Sequence, residues 1–202
     1  MTWLGRIVTW FPIIHLGLIL YAIQELIHQP GLASFGFLLI CLYWIPPCLF
    51  RLYCLRYPSK SGRWLLNAPI RCDWWIAHQL QLVYAALPFL EALLRLVPGL
   101  YSVWLRLWGS SIGKRVYWTP LVEILDRHML SVGDDVVFGH QVCCTSHIIR
   151  KKTNGDLVLM VRPTRIEAGV LIGARARIGP GVKIPAKSVV PYNAEYRFAY
   201  AE

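Results

Sequence analysis

The sequence predicts an α + β chain: a transmembrane helical hairpin, then helices suited to a membrane interface, then a short parallel β-helix. Three observations carry that expectation. Two apolar stretches, residues 7–24 and 26–50, hold no Asp, Glu, Lys or Arg, and only Glu25 divides them. Of the 21 Lys and Arg residues, only Arg6 precedes Arg51. From Ile112 onward an apolar residue returns every six positions.

Each apolar stretch is long enough for a membrane span of roughly 20 residues. Pro12, Pro46 and Pro47 are expected to kink or end the helices. A cleaved signal peptide fits less well, because the apolar run is too long and no small-residue cleavage site precedes the second stretch. A pair of buried core helices is the other reading, but such helices usually keep a polar face. The connection around "ELIHQPG" has no Lys or Arg, whereas Arg51, Arg56, Lys60 and Arg63 follow the second stretch at once. The positive-inside tendency then puts both ends in the cytoplasm, so a multi-pass protein of the inner membrane is expected, with its catalytic part on the cytoplasmic side. Residues 1–73 form the hairpin and a basic connector in this reading.

Residues 74–108 are apolar with isolated charges at Glu91, Arg95 and Arg106, and Pro88 and Pro98 cut them into short helices. Such helices suit the bilayer interface, or cover the open end of the domain that follows. The formal net charge of +10 favours anionic lipid or phosphate as a partner. Nucleic acid is not expected: no binding motif is present, and the aromatic residues cluster with aliphatic ones. The six cysteines form no CxxC pair and no zinc-ligand spacing, so reduced thiols are expected.

Residues 109–192 carry the hexads. They begin at Ile112, Trp118 and Ile124, resume after two extra residues at Val132, Phe138 and Cys144, and resume again at Ile166, Ile172, Ile178 and Ile184. Gly is frequent second, and a small or β-branched residue fifth. This period is a repeat signature of a parallel β-helix, one short strand and one corner per hexad, three hexads per coil. Ten hexads make a little over three coils, which need caps. Gly is expected to relieve crowding or unusual dihedrals at the corners. The rhythm stops after "CCTSH", where residues 149–162 are expected to project as a loop. Stacking places the hexad at 144 between those at 124 and 178. Asp126, Arg127 and the two extra residues then lie below His147, and Gly181 above it. Residues 193–202 are a C-terminal tail.

The runs "RLWGSSIGKRV", "LVEILDRHMLSVGDDVVFGHQVCCTSH" and "RIEAGVLIGARARIGPGVKIPAKSVVP" resemble the left-handed β-helix hexapeptide-repeat acyltransferases. They resemble most the branch that acetylates polysaccharide precursors and small-molecule acceptors. The resemblance covers roughly residues 106–192. It implies a left-handed coil, a homotrimer, and acetyl-CoA or another acyl-CoA held in a groove between two subunits. His147 matches the family's histidine that ends an extended hexad before a loop. Leu171 stands where the family often has Trp, and the C-terminus reads "PYNAEYRFAYAE" in place of Gly-Asn-Pro-Ala.

Acyl transfer from a thioester needs a base of near-neutral pKa to take the acceptor's proton, and His147 is the residue expected to do this. Asp126 is the expected orienting carboxylate, with Glu123 as runner-up; a surface pairing of Asp126 with Arg127 is the alternative. Gly173, Ala174 and Gly179 would let a pantetheine arm approach the backbone, with Gly181 nearby. Arg175, Arg177, Lys183 and Lys187 would meet coenzyme phosphates. His128 and His140 raise a zinc site, but a seven-residue spacing from His140 to His147 is not a recognised ligand pattern, and no metal is expected. The whole reads as a membrane-anchored acyltransferase acting on a lipid-linked sugar or other membrane-delivered acceptor. An acyl carrier protein as donor, or a catalytically silent trimeric scaffold, are the alternatives.

Overall fold

The structure, a computed structural model, describes residues 3–66 and 72–197. It comprises two compact units: Met1–Ser59 with Arg71–Leu87, and Lys60–Ile70 with Pro88–Glu202.

In the first unit, α1 (Trp3–Val8) and α2 (Phe11–His28) are separated by a two-residue break, and Pro12 sits in the first turn of α2, where a missing N–H breaks no helical bond. α3 (Leu32–Tyr43) packs against α2 and gives way to α4 (Ile45–Arg56) at Trp44. The span Trp3–His28, with mean hydropathy 1.7, is long and apolar enough to cross a membrane. The second stretch differs from the single run expected. α3 and α4 meet that test only as a pair bent by 51°, with Pro46 and Pro47 opening α4 after the bend. The turn is also shorter than expected, since Glu25 and His28 still belong to α2. α5 (Asp73–Ala86) packs on α1, α2 and α4.

The first unit buries several polar groups and leaves much apolar surface exposed. His15 is buried and donates from Nε2 to the Cys41 carbonyl (2.8 Å). The Tyr84 hydroxyl donates to the Leu42 carbonyl, and that of Tyr53 to Asp73. Trp10, Ile13, Ile14, Leu20, Ile27 and Leu32 are exposed.

The second unit is a three-faced parallel β-helix. Its first coil is β2 (Ser111–Ile112), β3 (Tyr117–Trp118) and β4 (Glu123–Ile124). β1 (Gly62–Leu65) lies earlier in the chain. The second coil is β5 (Leu130–Val132), β6 (Val137–Phe138) and β7 (Cys143–Cys144). An antiparallel hairpin follows, β8 (His147–Lys151) and β9 (Leu157–Val161). β10 (Thr164–Ile166), β11 (Leu171–Ile172) and β12 (Arg177–Ile178) make the third coil, and β13 (Lys183–Ile184), β14 (Val189–Val190) and β15 (Glu195–Tyr196) the fourth. The faces are β2-β5-β10-β13, β3-β6-β11-β14 and β4-β7-β12-β15. The six-residue frame therefore runs on past Ile184 to Val190 and Tyr196, giving four coils where ten hexads suggested a little over three. Every leading residue from Ile112 to Val190 is buried, which stacks the core.

The corners separate the two roles expected of glycine. The second-position glycines do not supply unusual dihedrals. A Cβ on Gly133, Gly139 or Gly173 would lie 2.5–2.6 Å from a backbone nitrogen of the next coil, so these glycines are required by coil stacking. The left-handed conformation falls on the fourth position. Arg115, Asp135, Gln141, Arg175, Lys187 and Asn193 all have φ between 52° and 61°, and Gly169 and Gly181 have φ of 70° and 73°.

Two segments are more ordered than expected. The stretch read as a projecting loop is a β-hairpin, and part of the basic connector is β1, which pairs with β9 to make a three-stranded sheet, β1-β9-β8. The helices read as interfacial divide between the units. α6 (Phe89–Leu96) and α7 (Leu100–Trp108) pack with the β-helix, covering its first coil: Trp118 donates to Ser102 Oγ (2.8 Å) and meets Tyr101 edge-on. α6 buries Glu91 and the side chain of Arg95 while it exposes Phe89, Leu93 and Leu96.

Candidate active site

The interrupted corner, between the β4-β7-β12-β15 face and the β2-β5-β10-β13 face, gathers the polar chemistry. The two extra residues between the first and second coils form a turn closed by the Met129 N–H on the Asp126 carbonyl (3.0 Å). That turn directs the Asp126 side chain inward. β4 and β12 flank β7 in register, Ile124 and Ile178 opposite Cys144, so the Asp126 carboxylate arrives beside His147 as stacking required.

His147 Nδ1 lies 2.8 Å from Asp126 Oδ2 and 3.0 Å from Oδ1. Asp126 is 3% exposed, and its Oδ2 also accepts the Ser146 N–H (2.6 Å). Burial alone would raise its pKa, but the bond and charge of His147 with the Ser146 N–H outweigh it and hold the carboxyl at about 2. An ionised carboxylate only accepts, so Nδ1 carries a proton, and in the neutral ring Nε2 keeps the lone pair. Thr145 Oγ1 donates to the His147 carbonyl (3.0 Å) and accepts its N–H (3.3 Å), fixing the backbone beneath the ring.

Asp126 thus lies against the imidazole, and neither of the other two arrangements forms. Arg127 turns away to Glu91, and Glu123 sits in register with Cys143 on the neighbouring strand. Burial and the Glu123 carboxylate push the Cys143 thiol up to about 12, which keeps it protonated and a poor nucleophile at neutral pH.

His147 opens onto a cavity of about 360 Å³ whose wall includes Arg150, Arg177, Gly179, Glu195 and Arg197. Of the residues expected to hold a coenzyme, Arg177 and Gly179 reach this cavity. Gly181 lies on the same corner, with its N–H on the Arg162 carbonyl (3.2 Å), and Lys183 faces Glu167 (3.7 Å). Gly173, Ala174 and Arg175 form a different corner, where Arg175 donates to Gln141 and the Tyr192 hydroxyl. Lys187 occupies a left-handed corner on the third edge. Arg150, Glu195 and Arg197 were not anticipated. The continued frame at Val190 and Tyr196 was the signal that β15 would bring the last two here.

No group of three or more His, Cys, Asp or Glu side chains suited to a metal comes together among the described residues. His140 is exposed on another corner from His147. Burial lowers the His128 pKa to about 4, so it is neutral at physiological pH.

Several solved structures are similar to parts of the chain. A hexapeptide-repeat acetyltransferase from Vibrio cholerae O1 biovar eltor, complexed with acetyl coenzyme A, is 26% identical, with 44% of this chain and 50% of that one covered and a TM-score of 0.40. A galactoside acetyltransferase in complex with coenzyme A is also 26% identical, with 42% and 44% covered and a TM-score of 0.38. Serine acetyltransferase isoform 3 from Entamoeba histolytica, in complex with cysteine, is 12% identical, with 84% and 62% covered and a TM-score of 0.27. The chain spans about half the length of the first two. No family model and no curated protein matches it.

Proposed function

We propose that this chain is a membrane-anchored acyltransferase. It moves an acyl group, acetyl in the simplest case, from a coenzyme A thioester to a hydroxyl or amine of a lipid-linked sugar or other membrane-delivered acceptor. The observation that carries this reading is the His147–Asp126 pair at the cavity of a hexapeptide β-helix. Nε2 of His147 takes the acceptor's proton as its oxygen or nitrogen attacks the thioester carbonyl. The tetrahedral intermediate collapses, the carbon–sulfur bond breaks, and the imidazolium returns the proton to the leaving thiolate. Asp126 holds the ring and offsets the imidazolium charge that develops. The arginines at the cavity wall suit the phosphates of the donor.

The membrane part of the proposal rests on the apolar surface of the first unit and on the exposed Phe89, Leu93 and Leu96 of α6. Both ends of the hairpin are placed in the cytoplasm, and a homotrimer completes the donor groove. His147→Ala tests the chemistry. It should lower transfer at least about 10²-fold, with assembly and thermal stability almost unchanged. An acyl-CoA transfer assay that retains more than about a tenth of the rate would remove the base assignment and leave a scaffold as the better reading. In a Cys-free background, Gln29→Cys should react with an impermeant thiol reagent outside intact cells and Ser61→Cys should not; the reverse pattern removes the orientation.

A further inference from the structure

The coil anchors one side of the irregular turn that presents Asp126: the Ser146 N–H binds Asp126 Oδ2 (2.6 Å) and Ser146 Oγ donates to the Met129 carbonyl (2.9 Å). The next residue after Asp126, Arg127, points the other way, into a buried ionic cluster beneath the cap. The Arg127 guanidinium bonds Glu91 Oε1 on α6, with both side chains no more than 5% exposed. Glu91 Oε2 accepts Arg95 (2.7 Å) and the Tyr101 hydroxyl (2.9 Å). The main chain is held as well. Ser110 Oγ donates to the Arg127 carbonyl (2.7 Å) and accepts the Leu130 N–H (3.1 Å), so one hydroxyl bridges the turn from its middle to its exit.

We infer that Glu91 and Ser110 are positioning residues for the His147–Asp126 pair, acting through Arg127 and the turn that carries both side chains. The inference rests on the proposed role of His147. Arg127 follows Asp126 in the same short turn, so a backbone shift that relieves Arg127 is passed to the carboxylate beside it. Glu91 carries the only acidic side chain on α6, and it faces two guanidiniums. Neutralising it leaves Arg95 and Arg127 as buried like charges, and any shift of Arg127 that relieves them reaches the turn. Ser110 acts more gently, because its loss removes two hydrogen bonds from the turn and no charge.

The test is made on the full-length protein in detergent, with Glu91→Gln and Ser110→Ala. Two measurements are taken on each. Nitrogen-15 spectra of labelled histidine read the His147 tautomer, and the pH profile of kcat/KM reads its acid limb. Asp126 and His128 face the ring from the turn, Arg150 from its own strand, and Arg177, Glu195 and Arg197 across the cavity. Of these, the turn's carboxylate is the one the variants displace.

Both variants should move His147 away from the Nδ1–H form. A nearby carboxylate stabilises the imidazolium, so its displacement should shift the acid limb to lower pH. The kcat per folded molecule should fall about tenfold with little change in KM for acyl-CoA. Asp126→Asn should show the same tautomer signature. If Glu91→Gln does not fold, Ser110→Ala decides. An unaltered tautomer and acid limb, with only a lower melting temperature, overturns the inference. An altered tautomer alongside an active His147→Ala variant leaves the positioning intact and removes the base.

Discussion

Two corners of one coil teach different things. The corner through Gly139 and Gly173 repeats strictly: a glycine against the next coil, a left-handed fourth position, and a return to strand. The corner through Asp126 and His147 breaks that rule twice, by two extra residues in one coil and a hairpin in the next. The strict corner uses its sequence to stack. The broken one leaves the stack and places a buried carboxylate 2.8 Å from an imidazole. Regularity builds the wall, and departure from it builds the site.

Asp126→Asn should separate the two roles most sharply. The amide retains an acceptor for Ser146 but offers N–H to His147 Nδ1 or turns away, and either leaves the wrong tautomer. Transfer should fall by about 10²–10⁴-fold. The change in stability should be modest, because the coil stack is untouched. A kinetic assay beside a thermal melt checks both halves of that statement.

Gly173→Ala should do the opposite. Its Cβ would lie 2.6 Å from the Tyr192 nitrogen and 2.7 Å from the Pro191 carbonyl carbon. Both atoms are backbone, so the coils must part, and destabilisation of about 3 kcal/mol is expected. Activity of the molecules that still fold should remain, since this corner does not line the His147 cavity. Denaturant unfolding combined with activity per folded molecule measures it.

Acid should act on the broken corner through two depressed pKa values. His128 is held at about 4 in the fold, against 6.5 unfolded, with burial the main cause, opposed by the Asp126 carboxylate and aided by the neighbouring Arg127 and His147. Between those values the unfolded chain binds a proton that the fold refuses, so stability is full above pH 6.5 and declines as pH falls toward 4. Asp126, at about 2 against 3.8, extends the loss below pH 3.8. His128→Asn should flatten the first window by on the order of 2 kcal/mol and leave the second. Melting temperatures at pH 7, 5 and 3.5 would show it.

How much of this was legible depended on what the pattern encodes. The stacked core could be read residue by residue, because burial on every sixth side chain is written in the sequence from Ile112 to Ile184. The closeness of His147 and Asp126 was legible because stacking turns a register into a distance. The hairpin was not, since "RKKTNGD" is polar at its tip while its pairing partner, Gly62–Leu65, lies some ninety residues earlier. Nor was the Glu91–Arg127 bond. A local rule pairs Arg127 with the carboxylate beside it, and only the packed cap brings a better partner. The glycine rule stayed open between two causes for a similar reason: unusual dihedrals and close stacking both favour glycine, and only the coil spacing tells them apart.

The smallest effect distinguishes those two uses of glycine. Gly169 has φ of 70°, and a Cβ there would meet nothing closer than Lys187 Cγ at 3.4 Å, which is ordinary contact with a flexible side chain. The cost of Gly169→Ala is therefore conformational alone, about 1–2 kcal/mol for a left-handed L-residue. Alanine also restricts the unfolded chain, which returns about 0.4–1 kcal/mol. The net loss should be under about 1 kcal/mol, since Asp135, Arg175 and Lys187 already hold the equivalent position with side chains in place. Paired with Gly173→Ala in the same unfolding experiment, it should be the milder variant by a wide margin. If Gly169→Ala were the more damaging of the two, backbone dihedrals and not coil stacking would limit these corners, and the six-residue pattern would owe its glycines to the turn.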